Sequence, residues 1–340
     1  MMTLGTDCWV LLAASATTTV ATWGARVLAL RVGFVSQPNP LIPQHLRPVP
    51  YLGGVGLLVG ACITLGLLAV LRRLGWFPWG LVPDVRLTLL IPAVMFLLVG
   101  LLDDCRPMPP RVKLFYQVLV AAIAVQMDVA PPLMHIAPVD QLLALLWIVV
   151  LVNAVNVTDV CDGLVAGLAA VTFLCLAGVD APHATATLVW CGACVGCLVF
   201  NRPPARIFLG DAGSHLLGYL MAIGTLRVGC RAPAWPWVGV MVLLVGVFLF
   251  EMVFVTAVRI SKRLPWWRGS PDHFAVRLQL AGLSKNKTVG VAWAGAAVLS
   301  GAGLALTTAS PAGQALILAS LVALLVLSSH LLLRVEVPRP

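Results

Sequence analysis

Charged side chains are scarce in this sequence. Only 10% of its 340 residues are Asp, Glu, Lys or Arg, against about 25% in soluble domains. Hydrophobic residues make up 60% and the mean hydropathy is +0.99, which excludes water as the main solvent. Long polar stretches are missing too. The longest runs only from Arg259 to Lys287, leaving no room for a separate soluble domain. No internal repeat or low-complexity tract appears, which excludes solenoid and fibrous architectures. Nine cysteines are present, and Cys191, Cys194 and Cys197 are spaced like part of an iron–sulfur run. All three sit in an apolar stretch beside Gly192 and Gly196, where small residues let helices approach. Helix packing is the better reading of them.

What the chain does contain is apolar runs of near-membrane length. Crossing ~30 Å of hydrocarbon takes about 20 residues of helix, and eleven such runs recur, near 9–30, 51–72, 87–102, 112–128, 141–157, 163–178, 185–200, 213–228, 237–259, 288–307 and 312–333. The shorter ones are expected to be tilted or broken, because irregular backbone at membrane depth must be buried or line a cavity. The first run is too long, and too poor in basic residues at its start, for a cleaved signal peptide. It is therefore kept in the mature fold. The prediction is an all-α polytopic membrane protein of about eleven transmembrane helices, forming one multi-pass domain over residues 1–340.

Basic residues set the orientation. With the N-terminus outside and the C-terminus inside, inward loops carry 16 of the 22 Lys and Arg residues and outward loops carry 5, Arg26 lying within the first run. The net charge of +9 then reads as a topology signal and an attraction to anionic lipid. Nucleic-acid binding would need a soluble basic surface that the chain lacks. The expected location is the inner (plasma) membrane, with functional loops near 31–50, 103–112, 153–164, 201–214 and 259–287 facing the cytoplasm.

Acidic residues near a bilayer are costly and mark functional candidates. Asp103, Asp104, Asp159, Asp162, Asp211 and Asp272 all fall on the predicted inner face, from four separate loops. Asp103 and Asp104 are adjacent, and their repulsion is relieved by a hard cation or a shared proton; a solvated helix cap with Arg106, Arg111 and Lys113 as counterions is the bland alternative. Asn153, Asn156, Asp159 and Asp162 recur every third residue, a spacing that brings them near one helix face to bind metal, phosphate or a nucleobase. The same residue types also favour helix caps. In the stretch Asn201 to Ser214, Gly210 and Gly213 flank Asp211, so backbone amides can approach an anion while Arg206 meets phosphate oxygens; a tight turn without a ligand is the alternative. The segment Arg268-Gly-Ser-Pro-Asp-His-Phe-Ala-Val-Arg277 completes the set. Its lysines need do no more than fix topology, whereas His273 and the arginines adjoin Asp272 and can neutralise a diphosphate.

With those four elements and the stretch Pro38-Asn39 to His45-Leu-Arg-Pro-Val-Pro-Tyr-Leu-Gly-Gly54 in order, the chain resembles the polyprenyl-phosphate N-acetylhexosamine-1-phosphate transferases. That family includes the phospho-N-acetylmuramoyl-pentapeptide translocase. The resemblance runs from about Gly33 to Leu278. It implies that a UDP-linked N-acetylhexosamine gives its sugar 1-phosphate to polyprenyl (undecaprenyl) phosphate, releasing UMP and initiating lipid-linked cell-envelope glycan synthesis. It also implies a requirement for Mg²⁺, with Mn²⁺ as an alternative ion. By motif position, Asp103 is the group that takes the lipid phosphate's proton, Asp104 supports metal or phosphate, and Asp162 joins them in the catalytic set. Asp211 is the direct metal ligand, with Asp104 and Asn156 beside it. His45, Asn153, Asn156, Asp159, Asn201, Arg206, Phe208, His273 and Arg277 fall to substrate binding, Asn201 and Phe208 at positions suited to uracil. The expected partners are the UDP-sugar, the polyprenyl phosphate and the bilayer, with a homodimer as one assembly open to it.

The chain departs from the family's pattern at Val160, at Ser36 and Gln37, and at Glu251, where Gly, an acid and Asp are usual. A single His273 also stands where clustered histidines are usual. The missing histidines favour UDP-N-acetylglucosamine as donor over UDP-N-acetylmuramoyl-pentapeptide. Two other readings are a transporter and a silent scaffold. A transporter would place its ionisable residues near the midplane in broken or repeated spans, whereas these lie at one face. A silent scaffold would have no need of Asp103, Asp104, Asp162 and Asp211 together.

Overall fold

A computed structural model describes residues 4–36, 48–76, 87–127, 132–231, 234–265, 267 and 269–337. His45 lies outside the described residues. The helices in chain order are α1 (Leu4–Arg31), α2 (Gly53–Arg73), α3 (Leu87–Cys105), α4 (Pro110–Gln126), α5 (Ala137–Thr158), α6 (Leu164–Val179), α7 (Ala184–Asn201) and α8 (Gly210–Gly229). They continue with α9 (Ala234–Leu244), α10 (Gly246–Ser261), α11 (Phe274–Leu280), α12 (Lys285–Leu306) and α13 (Pro311–Leu333). The strands among the described residues are β1 (Val35–Ser36) and β2 (Val49–Pro50), an antiparallel pair.

Local sequence explains the helix starts. Pro110 opens α4 and Pro311 opens α13, where a missing N–H costs nothing. The hydroxyls of Ser284 and Ser310 cap α12 and α13, satisfying amides that have no partner inside the helix. Between α5 and α6 the chain turns through Gly163 at φ +74°, a conformation that glycine adopts without steric cost.

Each of the eleven apolar runs falls on a helix, the ninth on the α9–α10 pair, which is bent by 70° at its break. Among the described residues, seven helices are long and apolar enough to cross a membrane, or eight if the bent pair counts as one span. The chain is thus an all-α, multi-pass membrane protein. Helices α4 and α6 fall short in length, at 17 and 16 residues. Helix α8 has 20 residues but carries Asp211, Ser214, His215 and Arg227. It tolerates them because it is the axis of the bundle: 17 of its 20 residues are buried, packed among α2, α3, α5, α6 and α9. Lipid never has to solvate it.

Small residues make that packing possible, since helices in lipid associate through close contact and hydrogen bonds. A Cβ on Gly218 would fall 2.6 Å from the Val152 Cα of α5, and one on Gly54 would strike the Gly213 backbone. Gly192 and Gly196 bring α7 against α1 in the same way, with Cys191, Cys194 and Cys197 buried and unbridged beside them.

Cross-element bonds collect many helix ends at one side of the bundle. Arg26 Nε of α1 donates to the Arg206 carbonyl (3.1 Å), and the Gly53 amide opening α2 donates to the Phe208 carbonyl (3.0 Å). The Gly163 amide before α6 donates to Asn201 Oδ1 at the end of α7 (3.1 Å). Lys285, at the start of α12, pairs with Asp162 (3.0 Å), and Arg277 binds the Leu332 carbonyl at the end of α13 (3.0 Å). These contacts draw together the loops in which the acidic motifs lie.

Candidate active site

Asp104, in the last turn of α3, accepts from the Asp211 amide through Oδ1 (2.8 Å) and from the Ala212 amide through Oδ2 (3.0 Å). It caps α8 from another helix, placing a negative charge at the positive end of that helix's dipole. Gly210 stands at φ +70°, and a Cβ there would run into the Asp104 carboxylate. The Gly-Asp pair is therefore a close-approach device: glycine at 210 lets Asp104 in, and Asp104 orients the peptide that carries Asp211.

Next to that cap, Lys113 of α4 reaches between two carboxylates. Its ammonium lies 2.8 Å from Asp103 Oδ2, contacts Asp211 Oδ2 and donates to Asn156 Oδ1 at 3.1 Å. Asn156 completes the circuit by donating through Nδ2 to Asp211 Oδ1 (2.7 Å) and to Ser214 Oγ (3.0 Å). The other Asp103 oxygen accepts from the Met108 amide in the α3–α4 turn. Four elements thus supply one charged cluster, in which the Asp103, Lys113 and Asp211 side chains are between 12% and 28% exposed. That is dry enough to strengthen the pairing and open enough to admit a substrate.

Asp159, directly after α5, has no hydrogen-bond partner for its carboxylate among the described residues. Its carboxyl is pushed up to about 8, first by burial and then by the charges of Asp211, Asp104 and Asp162. Asp162 accepts from the Ala205 amide (3.2 Å) and from Lys285, tying the α5–α6 turn to the α7–α8 loop. Asn201 is buried; besides the Gly163 amide it holds the Ile207 carbonyl with Nδ2 (2.9 Å). Its carboxamide braces two loops. Arg206 is exposed, with its guanidinium 4.8 Å from the Phe200 ring centroid and bonded to the Val199 carbonyl. Phe208 is half-buried, its ring 6.2 Å from that of Tyr51, which in turn lies 5.5 Å from Phe34.

The histidine segment forms its own network. Glu251, fully buried in α10, bonds His273 Nδ1 (2.6 Å) and accepts from the Phe274 amide (3.2 Å), capping α11. Arg277 spends its donors on the Asp272 carboxylate and carbonyl and on the Leu332 and Val335 carbonyls. Burial alone would raise the Asp272 carboxyl, but Lys262 and Arg277 outweigh it and hold the group below the ordinary carboxylate range. These contacts lock the loop to α10 and α13, and Gln279 links α11 to Cys161 at the α5–α6 turn (3.6 Å).

Comparison with known proteins gives this arrangement a lineage. Residues 86–229, from before α3 to the end of α8, match the model of glycosyl transferase family 4. A Bacillus subtilis protein named "Probable undecaprenyl-phosphate N-acetylglucosaminyl 1-phosphate transferase" is 27% identical over 277 residues, covering 77% of this chain and 74% of its own length. A Mycobacterium tuberculosis decaprenyl-phosphate N-acetylglucosaminephosphotransferase is 34% identical, over 62% of this chain but only 57% of its own length. The phospho-N-acetylmuramoyl-pentapeptide-transferase of Moorella thermoacetica is 33% identical over 290 residues, 76% of this chain and 84% of its own length. The chain belongs to glycosyl transferase family 4.

The matched segment of the family 4 chain contains the whole Lys113 cluster, and the cluster's donors suit a hard divalent cation. Among the described residues, no three Asp, Glu, His or Cys side chains form a closed metal cage. Mg²⁺ seldom uses one, being held by one or two carboxylates with substrate phosphates and water. The Lys113 ammonium already marks a point where Asp103 Oδ2, Asp211 Oδ2 and Asn156 Oδ1 converge on a positive charge. Asp104 is different, since both its oxygens are engaged by α8 amides.

Several members of the site escaped the motif reading. The motifs present Lys113 only as a counterion and do not include Gln117 or His215. Gln117 lies four residues after Lys113 and His215 four after Asp211, the spacing that stacks side chains on one helix face. The interval from Asp211 points to His215 alone; Gln117 follows only once Lys113 is known to belong to the site.

Proposed function

We propose that this chain transfers an N-acetylhexosamine 1-phosphate from a UDP-sugar to polyprenyl phosphate, releasing UMP, with its site on the cytoplasmic side of the plasma membrane. The observation that carries the reading is the convergence of Asp103, Asp211, Asn156 and Lys113 at the ends of four helices in a family 4 chain. Two of the relatives above are N-acetylglucosamine transferases by name, which favours UDP-N-acetylglucosamine as donor. The Moorella relative makes UDP-N-acetylmuramoyl-pentapeptide the first alternative.

Both substrates are anionic, so the barrier is mainly charge repulsion and positioning. A phosphate oxygen of the lipid attacks the sugar-linked phosphorus, the bond from that phosphorus to the bridging oxygen breaks, and UMP leaves with that oxygen. Asp103 takes the proton of the lipid phosphate. Lys113, sitting between Asp103 and Asp211, is placed to exchange a carboxylate for a phosphate oxygen as substrate enters. Asp211 and Asn156 would hold Mg²⁺, which when bound supplies neutralising charge to the diphosphate. Asp159 and Asp162 line the nucleotide side, with Phe208 offering a face for uracil. Asp104 acts through α8; with both oxygens bonded to amides, it is a poor candidate for the nucleophile of an aspartyl-phosphate route.

The deciding assay combines purified protein, Mg²⁺, polyprenyl phosphate and a panel of UDP-sugars including both donors above, with UMP and lipid product measured together. Absence of UMP with every donor, from folded protein, overturns the proposal. Asp211→Asn is expected to insert normally and to lose roughly 100-fold or more in Mg²⁺-dependent turnover, the scale of removing one charge-stabilising group.

A further inference from the structure

Behind the charged cluster runs a chain of neutral polar side chains to which the mechanism above gives no part. His215 and Gln117 are both fully buried. His215 Nδ1 lies 2.7 Å from the Asp211 carbonyl oxygen, and His215 Nε2 lies 2.8 Å from Gln117 Nε2. Gln117 Oε1 accepts from Asn153 Nδ2 (2.8 Å), which also donates to the Val149 carbonyl (2.8 Å). Backbone carbonyls at both ends set the direction of every bond. A carbonyl only accepts, so Asn153 must present its NH₂ to Val149 and, with the second hydrogen, to Gln117 Oε1. Gln117 therefore turns its NH₂ to His215, whose Nε2 accepts. At the other end His215 Nδ1 faces a carbonyl and must donate. The imidazole is the neutral Nδ1–H tautomer, and the orientations of its ring and of the two amides follow from the carbonyls at the ends.

What this chain grips is the peptide that carries Asp211. The Asp211 carbonyl oxygen accepts from His215 and from Ser214 Oγ (3.2 Å), while its amide donates to Asp104. A methyl on Gly100 of α3 would collide with the same carbonyl oxygen, so the peptide is fixed on both sides. The carbonyl four residues back is within reach of any buried helical donor; what singles out His215 is that its other nitrogen is held by Gln117 and that the carbonyl it grips belongs to Asp211. We propose that His215, backed by Gln117 and Asn153, is a positioning residue that sets the Asp211 carboxylate for ion and phosphate binding. The inference rests on the transferase reading. It also moves Asn153 from substrate binding to the supporting network.

Mn²⁺ binding, measured by the loss of the free-ion electron paramagnetic resonance signal, tests this without requiring turnover. Groups behind a metal ligand typically alter ion affinity about 10–100-fold. His215→Leu and Gln117→Leu should weaken Mn²⁺ binding within that range and lower kcat in parallel, with KM for the lipid unchanged. His215→Asn keeps an N–H near the Nδ1 position and should recover affinity to within about 3-fold. A merely structural histidine would lower thermal stability and leave the ion affinity of the folded fraction untouched. Wild-type Mn²⁺ affinity in both leucine variants overturns the proposal, as does a loss in His215→Asn equal to that in His215→Leu. If His215→Leu does not fold, Gln117→Leu decides by the same criterion. A wild-type protein that binds Mn²⁺ but releases no UMP sinks the transferase reading and leaves the affinity comparison standing. A wild-type protein that binds no Mn²⁺ overturns the positioning role alone, because UMP release decides the transferase reading.

Discussion

At Lys113 a single ammonium separates the Asp103 and Asp211 carboxylates. Lys113→Met keeps most of the side chain's volume and removes the charge, leaving two acids facing each other. Breaking a buried pair costs about 3–5 kcal/mol, so about 2 kcal/mol is expected in this partly open site. Mg²⁺ should restore more stability to the variant than it gives the wild type, which thermal unfolding in detergent with and without the ion will show. Asp159 invites a different measurement. Its carboxyl, raised to about 8, keeps a proton in the folded chain that the unfolded chain loses near 3.8. The native state thus binds more protons across that interval, and stability falls as pH rises from about 4 to about 8. Asp159→Asn carries no such group, so in EDTA its melting temperature should gain on the wild type's as pH climbs from 5 to 9. Parallel melting curves at every pH would refute the assignment. The acids at both positions were legible in the sequence because charge is so rare in an apolar chain. Lys113 and Gln117 were not: each meets its partner only after distant segments fold together, as when Lys113 reaches Asp211 98 residues away and Gln117 meets His215.

Among the elements, α8 concentrates buried polar residues whose place its apolar run does not explain. Its apolar run was visible, but its buried polar residues make sense only once the helix is surrounded by others. The same holds for the α9–α10 pair, read from its apolar run as one span and found bent by 70°. No proline stands at that break, which falls at Val245 with Gly246 beside it, and a lone glycine in an apolar run is too weak a signal to announce a bend of that size. The start of α8 is open to a direct test. Gly210→Ala would force a Cβ into a left-handed conformation and into the Asp104 carboxylate. The backbone penalty alone is about 1–2 kcal/mol, and losing the cap adds ~1 kcal/mol. Reduced thermal stability should therefore accompany a turnover loss larger than the lost folded fraction explains, because the peptide carrying Asp211 moves with the cap. A variant that melts early but turns over normally per folded molecule would show that the cap serves the fold alone.

For the molecule as a whole, alternation of direction is the organising fact. The ends of α1, α3, α5, α7 and α13 meet the starts of α2, α4, α6, α8 and α12 on one side, so the acids share a face whichever way the chain inserts. The cluster of Asp180, His183 and Arg231 lies at the far ends of α6 and α8. Which face meets the cytoplasm is a question for the basic residues, and from their bias we propose that the acid-bearing face lies inside. UDP-sugars are charged and do not cross a bilayer unaided, so the proposed reaction requires the same orientation. A fluorescent protein fused after Pro340 should therefore fold and fluoresce in intact cells. Alkaline phosphatase fused after Asp180 should be active, and after Ser284 inactive, because that enzyme needs an oxidising compartment for its disulfides. The reverse pattern would put the acidic site outside, where no cytoplasmic nucleotide sugar reaches it, and would defeat the proposed donor even if the bundle and its carboxylates were all as described.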